Sequence, residues 1–142
     1  MKVILLTLIS FFLVPGTKTG GKMALVCGKW KLVGIQSSGK EYKTVDNGMS
    51  QTIIIKADGT FDEELYGTMK VKGQWKFSKD SAKLAFGVTE MDGNTMEGLA
   101  PDTKPTDSII KLTADTLVYG SVKYFGKQKI YMHDDMYFVR EH

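Results

Sequence analysis

A chain of 142 residues, carrying 19 basic and 16 acidic side chains for a formal net charge of +3, has room for one domain around one core. So mild an excess, spread over well-interleaved lysines, excludes the electrostatic footprint of a nucleic-acid binder. The single cysteine, Cys27, excludes an internal disulfide, so stability has to come from burial and strand pairing.

The N-terminus reads as a targeting segment. Lys2 supplies a positive start, Val3 to Val14 is apolar apart from Thr7 and Ser10, and Pro15-Gly16 ends the run. About a dozen apolar residues is too short to cross a bilayer, which takes roughly 20, and is the length of a signal-peptide core. Residues 1–20 are therefore expected to form a signal peptide and leader, cut somewhere from Gly16 to Gly21, and residues 21–142 an exported domain, periplasmic or secreted. Lys22 to Val26 reads as a short helical turn. An exported chain with one cysteine also raises lipid attachment, but Val26 stands where a lipoprotein signal needs a small residue. A half-buried thiol beside the first strand is the favoured reading of Cys27, with an outer-membrane lipid anchor as the alternative.

Beyond this point apolar residues recur in steps of two, and turn signals come every ten or so residues, the pattern of an all-β domain. Met69, Val71, Gly73, Trp75 and Phe77 share one side of a strand whose other side is Lys70, Lys72, Gln74 and Lys76. Further strands are expected at Lys29–Gln36, Gln51–Lys56, Thr60–Tyr66, Lys83–Gly87, Asp107–Leu112, Thr116–Tyr124 and within Lys129–Glu141, eight in all. His133-Asp134-Asp135 reads as a bulge or turn inside the last. Successive connections in an up-and-down barrel alternate between its ends. The tight connections Ala57–Gly59, Ser78–Ala82 and Thr113–Asp115 then share one end, while the long ones, Ser37–Ser50 and Val88–Thr106, fringe the other.

First and last strands of a closed antiparallel barrel are neighbours. Gly28-Lys29-Trp30 opens the first, and Arg140, the only arginine, closes the last. A guanidinium flat on an indole contributes about 0.5–2 kcal/mol, so Gly28, Trp30 and Arg140 are expected to seal one end.

Taken in order, Gly28-x-Trp30-Lys31-Leu32-Val33, Lys56-Ala57-Asp58-Gly59-Thr60-Phe61, Gly73-Gln74-Trp75, Leu112-Thr113-Ala114-Asp115-Thr116-Leu117-Val118 and Tyr137-Phe138-Val139-Arg140 resemble the lipocalin superfamily, in particular the short lipocalin-like proteins of Bacteroidota. The resemblance spans nearly the whole chain after the leader. It implies an eight-stranded antiparallel up-and-down β-barrel with the Trp–Arg seal at Trp30 and Arg140, and it implies no particular ligand. The disulfide usual in secreted animal lipocalins has no counterpart here.

An eight-stranded barrel is filled by its own side chains or holds one small ligand. Alternation turns Trp30, Leu32, Phe61, Leu65, Met69, Val71, Trp75 and Phe77 inward, with Trp30, Phe61 and Phe77 toward the sealed end. Tyr66, Met69, Val71, Trp75, Phe86, Tyr119 and Met132 are the candidate ligand contacts, because thioethers and aromatic rings suit a flexible apolar guest. Glu63 joins them: its parity with Phe61 and Leu65 turns a carboxylate inward, where it needs a lysine partner or a ligand, the alternative being a local bulge or an open rim.

Catalysis finds no constellation. Neither histidine, His133 or His142, stands at zinc-ligand spacing, and no nucleophile elbow, phosphate loop or calcium loop is present. The expectation is a non-enzymatic exported barrel, without cofactor or metal, that binds a small apolar or amphipathic molecule at the looped end. The alternative is a structural or protein-interaction module with a filled interior.

Overall fold

The computed structural model describes residues 18–38, 40–125 and 130–142, and side chains within them other than those of 18–20, 47, 121–125 and 130–133. The expected leader therefore lies outside the described residues except for its last three. These belong to a helix, α1 (Lys18–Val26), longer than the turn expected at Lys22–Val26. Among the described residues no helix is long and apolar enough to cross a membrane.

The rest is antiparallel strand. In chain order come β1 (Gly28–Ser37), β2 (Lys43–Thr44), β3 (Gln51–Ile55), β4 (Thr60–Leu65), β5 (Met69–Phe77), β6 (Lys83–Met91), β7 (Asn94–Thr95), β8 (Asp107–Leu112), β9 (Thr116–Phe125) and β10 (Ile130–Glu141). The eight long strands pair in the order β10-β9-β8-β6-β5-β4-β3-β1, and β1 pairs β10 again, closing one sheet into a ring. Period-two burial produces this: along β5, Val71, Gly73 and Trp75 are buried while Lys70, Lys72 and Gln74 are exposed. The core inside the ring includes Trp30, Leu32, Ile53, Phe61, Val71, Leu84, Leu117 and Phe138.

One expectation about irregularity is corrected. The segment His133-Asp134-Asp135 is neither bulge nor turn, since β10 pairs β9 without interruption from Ile130↔Phe125 to Val139↔Thr116. Register shifts fall instead in β1 between Leu32 and Gly34, in β5 between Lys72 and Gly73, and in β8 between Ile109 and Lys111. After the β1 shift, Ile35 packs on the core where unbroken alternation from Leu32 would point it outward. Closing a twisted sheet forces such adjustments, and they arise between strands rather than within one.

The long connections do leave from one end. Tyr66 N donates to Ser50 O at 2.7 Å, and Asp92 N to Lys70 O at 2.8 Å, tying the 38–50, 66–68 and 92–93 connections together. Neither long connection stays there as a free loop. In the first, β2 pairs Gly34 and Ile35 of β1, and Val45 N bonds Val33 O at 3.0 Å. In the second, β6 runs on to Met91, past its expected end at Gly87. β7 then turns back to pair Glu90 and Met91, and Met96 and Gly98 donate to Thr89 and Val88. This return occupies the edge of β6 that β8 leaves open, for β8 pairs β6 only through Lys83↔Ser108 and Leu84↔Asp107. The chain then crosses the outer face, where Leu99 N reaches Gln74 Oε1 and Lys76 Nζ reaches Pro101 O, each at 3.4 Å. Gly87 makes the crossing possible, because a Cβ there would stand 2.6 Å from Leu99 N.

Candidate functional site

At the end where β1 begins, Trp30 and Arg140 are direct register partners, and the guanidinium carbon lies 4.2 Å from the indole centroid. The contact is more than ring stacking. Trp30 is fully buried and its Nε1 donates to Val26 O at 2.7 Å. Arg140 donates to the carbonyls of Cys27 at 2.9 Å, Leu25 at 2.5 Å, and Ala114. Those groups include carbonyls at the C-terminus of α1, which have no partner within the helix, so the arginine caps it. Gly28 has φ +143°, and a side chain there would collide with the guanidinium. With Lys22 Nζ bonded to Ser81 O at 2.9 Å and Val26 fully buried, α1 lies against this end.

Cys27 sits between α1 and β1, partly buried against the core. Burial pushes its thiol above the usual range, outweighing the pull of Arg140 toward thiolate.

Deeper inside, rings from four strands touch in series. Phe61 meets Phe86 edge-on with centroids 5.3 Å apart, Phe86 meets Tyr119 at 5.7 Å, and Tyr119 stacks on Phe138 at 5.5 Å. This chain of rings forms an apolar floor with a single polar handle, the Tyr119 hydroxyl.

Two carboxyls act on that hydroxyl through their charge. Glu63 lies between Ile53 and Val71, its register partners in β3 and β5, both buried. Burial lifts its carboxyl above the ordinary range, partly offset by a hydrogen bond from Gln51 Nε2. The inward turn read from alternation is what the structure has; the partner is an amide rather than a lysine. Asp107 shares its face of β8 with Ile109, which packs on the core, and its carboxyl too is raised by burial, with Thr106 Oγ1 donating at 3.4 Å. Tyr119 is 6% exposed. Its phenol is pushed far up, first by burial and then by the charges of Glu63 and Asp107. Among the described residues its hydroxyl has no hydrogen-bond partner, and it is not one of the fully enclosed polar atoms that lack one.

Of the candidate contacts, Glu63, Val71, Phe86 and Tyr119 are thus gathered in the interior, with Met69 partly buried beside the core. Trp75 is buried beside Phe86, its register partner, toward the end where β1 begins; its Nε1 donates to Lys56 O at 2.8 Å and its ring meets Phe77 at 5.2 Å. Tyr66 is a turn residue with φ +56°, 59% exposed, and stands outside the cluster. Met132 pairs Lys123 in register, and its side chain lies outside the described residues. Sequence reasoning overlooked Gln51 and Asp107. Their signal was the one that found Glu63: Gln51 alternates with Ile53 and Ile55, and Asp107 with Ile109.

Among the described residues, no group of three or more His, Cys, Asp or Glu side chains is placed to hold a metal ion. The arrangement suits recognition, with a ring-lined floor and a few acceptors above it. An all-β sheet closed in a ring, with acceptors facing its interior, is the class the geometry defines. No family model, no curated protein and no solved structure matches the chain.

Proposed function

We propose that this protein is an exported, lipocalin-like β-barrel that binds a small amphipathic molecule in its interior and catalyses no reaction. One observation carries the reading. Glu63 and Tyr119 place a carboxyl and a hydroxyl in a largely apolar interior, at a desolvation cost to the charged form of each. Groups held at such cost are characteristic of sites that meet a ligand. The rings of Phe86 and Tyr119 supply the apolar surface, and the leader pattern around Lys2 and Val3–Val14 supports export.

The contact series Phe61–Phe86–Tyr119–Phe138 favours a second reading, a module with a filled interior. Tyr42, Met49, Tyr66 and Met96, each at least 46% exposed on the connections of the looped end, would then meet a protein partner. Titration with the neutral probe N-phenyl-1-naphthylamine separates the two. Saturable one-to-one binding with energy transfer from tryptophan supports the first, and a linear, non-saturating signal overturns it.

A further inference from the structure

We infer that the outside of the ring carries a second binding site, a lysine-lined groove for a small molecule bearing two phosphate groups. The groove, about 540 Å³ in volume, lies where the 78–82 turn between β5 and β6 meets the strap that crosses the outer face. That volume is within the range of small-molecule sites, roughly 300–1,000 Å³. Phe77 and Pro105 give it apolar walls, and Lys76, Lys79, Lys83 and Lys104 line it. Lys104 stands far from the turn in the chain, and only the course of the strap brings it there. The site is separate from the interior and does not depend on the binding reading above.

Charge is not balanced here as it is elsewhere on the surface. Lys29 pairs with Glu141, Lys56 with Asp62 and Lys72 with Glu90, and the groove across β3, β4 and β5 is lined by three lysines and three acidic residues. Among the described residues none of the four lysines beside the 78–82 turn closes an ion pair. Lys76 Nζ has only its 3.4 Å contact with Pro101 O. Asp80, the one carboxylate lining the groove, is engaged by its own turn: Ser78 Oγ donates to it at 2.5 Å and Ala82 N at 3.1 Å. Asp102 and Asp107, close to Lys104 in sequence, do not line it. Four lysines against one aspartate leave +3, as large as the formal charge of the whole chain. Lys22 Nζ, bonded to Ser81 O of the same turn at 2.9 Å, adds to that field from the side of α1.

Like charges gathered in this way repel, and a multivalent anion relieves the repulsion. A phosphate monoester carries about −1.5 to −2 at neutral pH, so one leaves the groove unbalanced and two match it. Lysine holds phosphate as a mobile point charge and needs no fixed fork geometry to do so.

Calorimetric titration of the protein with sodium pyrophosphate and with orthophosphate tests this. Pyrophosphate should bind one-to-one, about tenfold tighter than orthophosphate or better, and more weakly as salt is raised. Lys79→Ala/Lys104→Ala should weaken pyrophosphate by about tenfold or more, and both side chains are exposed, so the fold should persist and melting curves check it. Lys40→Ala/Lys43→Ala removes the same charge from exposed positions of the looped end and should change the affinity by no more than about twofold. Equal losses in the two double variants, or no binding of pyrophosphate to the parent, overturn the inference. Capture by phosphatidylglycerol vesicles without binding of pyrophosphate overturns it in favour of a lipid headgroup.

Discussion

Gly28 and Arg140 are fitted to one another: a methyl group on the glycine would lie 2.0 Å from a guanidinium nitrogen. The arginine passes through the space a side chain would fill, on its way to the carbonyls of Leu25 and Cys27. Gly28→Ala should therefore displace Arg140 and impose a backbone conformation that costs about 1–3 kcal/mol by itself. Chemical denaturation should show a loss of that size or larger. A variant as stable as the parent would mean that the guanidinium has another route.

Arg140→Lys should fail to rescue Arg140→Ala. One ammonium cannot reach the carbonyls of Leu25, Cys27 and Ala114 while also lying flat on Trp30. Both variants should lose about 2–4 kcal/mol, the cation–π contact plus the cost of abandoned carbonyls. Trp30→Ala, in a fully buried position, should lose about 3–5 kcal/mol. Equal stability of Arg140→Lys and the parent would reduce the arginine to a point charge.

Glu63 should make the protein less stable as pH rises. Its carboxyl is raised by burial in the folded state, so the folded chain holds that proton to higher pH than the unfolded chain does. The contribution is fully present below the ordinary carboxylate range and is lost as pH climbs through it to the raised value. Asp107 acts in the same sense. Glu63→Gln keeps the shape and removes the titration. Melting curves should show the variant gaining on the parent from acid to neutral pH, by a few degrees, and a constant gap between them would contradict the assignment.

Tyr119→Phe should leave stability unchanged to within about 0.5 kcal/mol, although the residue is buried. The usual loss from such a change comes from a broken hydrogen bond, and this hydroxyl has no partner among the described residues. A loss above about 1 kcal/mol would reveal a partner within the folded chain.

Gly87→Ala should lift the strap at Leu99 from the outer face, since its Cβ would stand 2.6 Å from backbone there. Amide hydrogen exchange should then quicken at Gly98 and Leu99, whose N–H groups bond Val88 O and Gln74 Oε1. Exchange at Trp30, at the ring's far seam, should not change.

The strand alternation of β5, the turn chemistry of Asp58-Gly59 and the inward face of Glu63 were all legible in the sequence, because each follows from the spacing of a few adjacent residues. The meeting of Trp30 with Arg140 was legible too, once a closed antiparallel sheet had made the first and last strands neighbours. Less local features were not. The run of Gly, Pro, Asn and Thr after Gly87 reads as a rim loop, yet most of it is bound along β6 and across the outer face. No spacing within that run records the Gln74 amide or the bare surface of Gly87.

Alternation alone determined which side of its own strand each residue occupies, since side chains on a pleated chain point to opposite faces by covalent geometry. The closing of the ring decided the rest. It brought the charges of Asp107 of β8 and Glu63 of β4 to bear on Tyr119 of β9, and moved the irregularities from His133–Asp135 to β1, β5 and β8. Register between strands is set by the twist and stagger of the whole sheet, and that is a property of all its strands together.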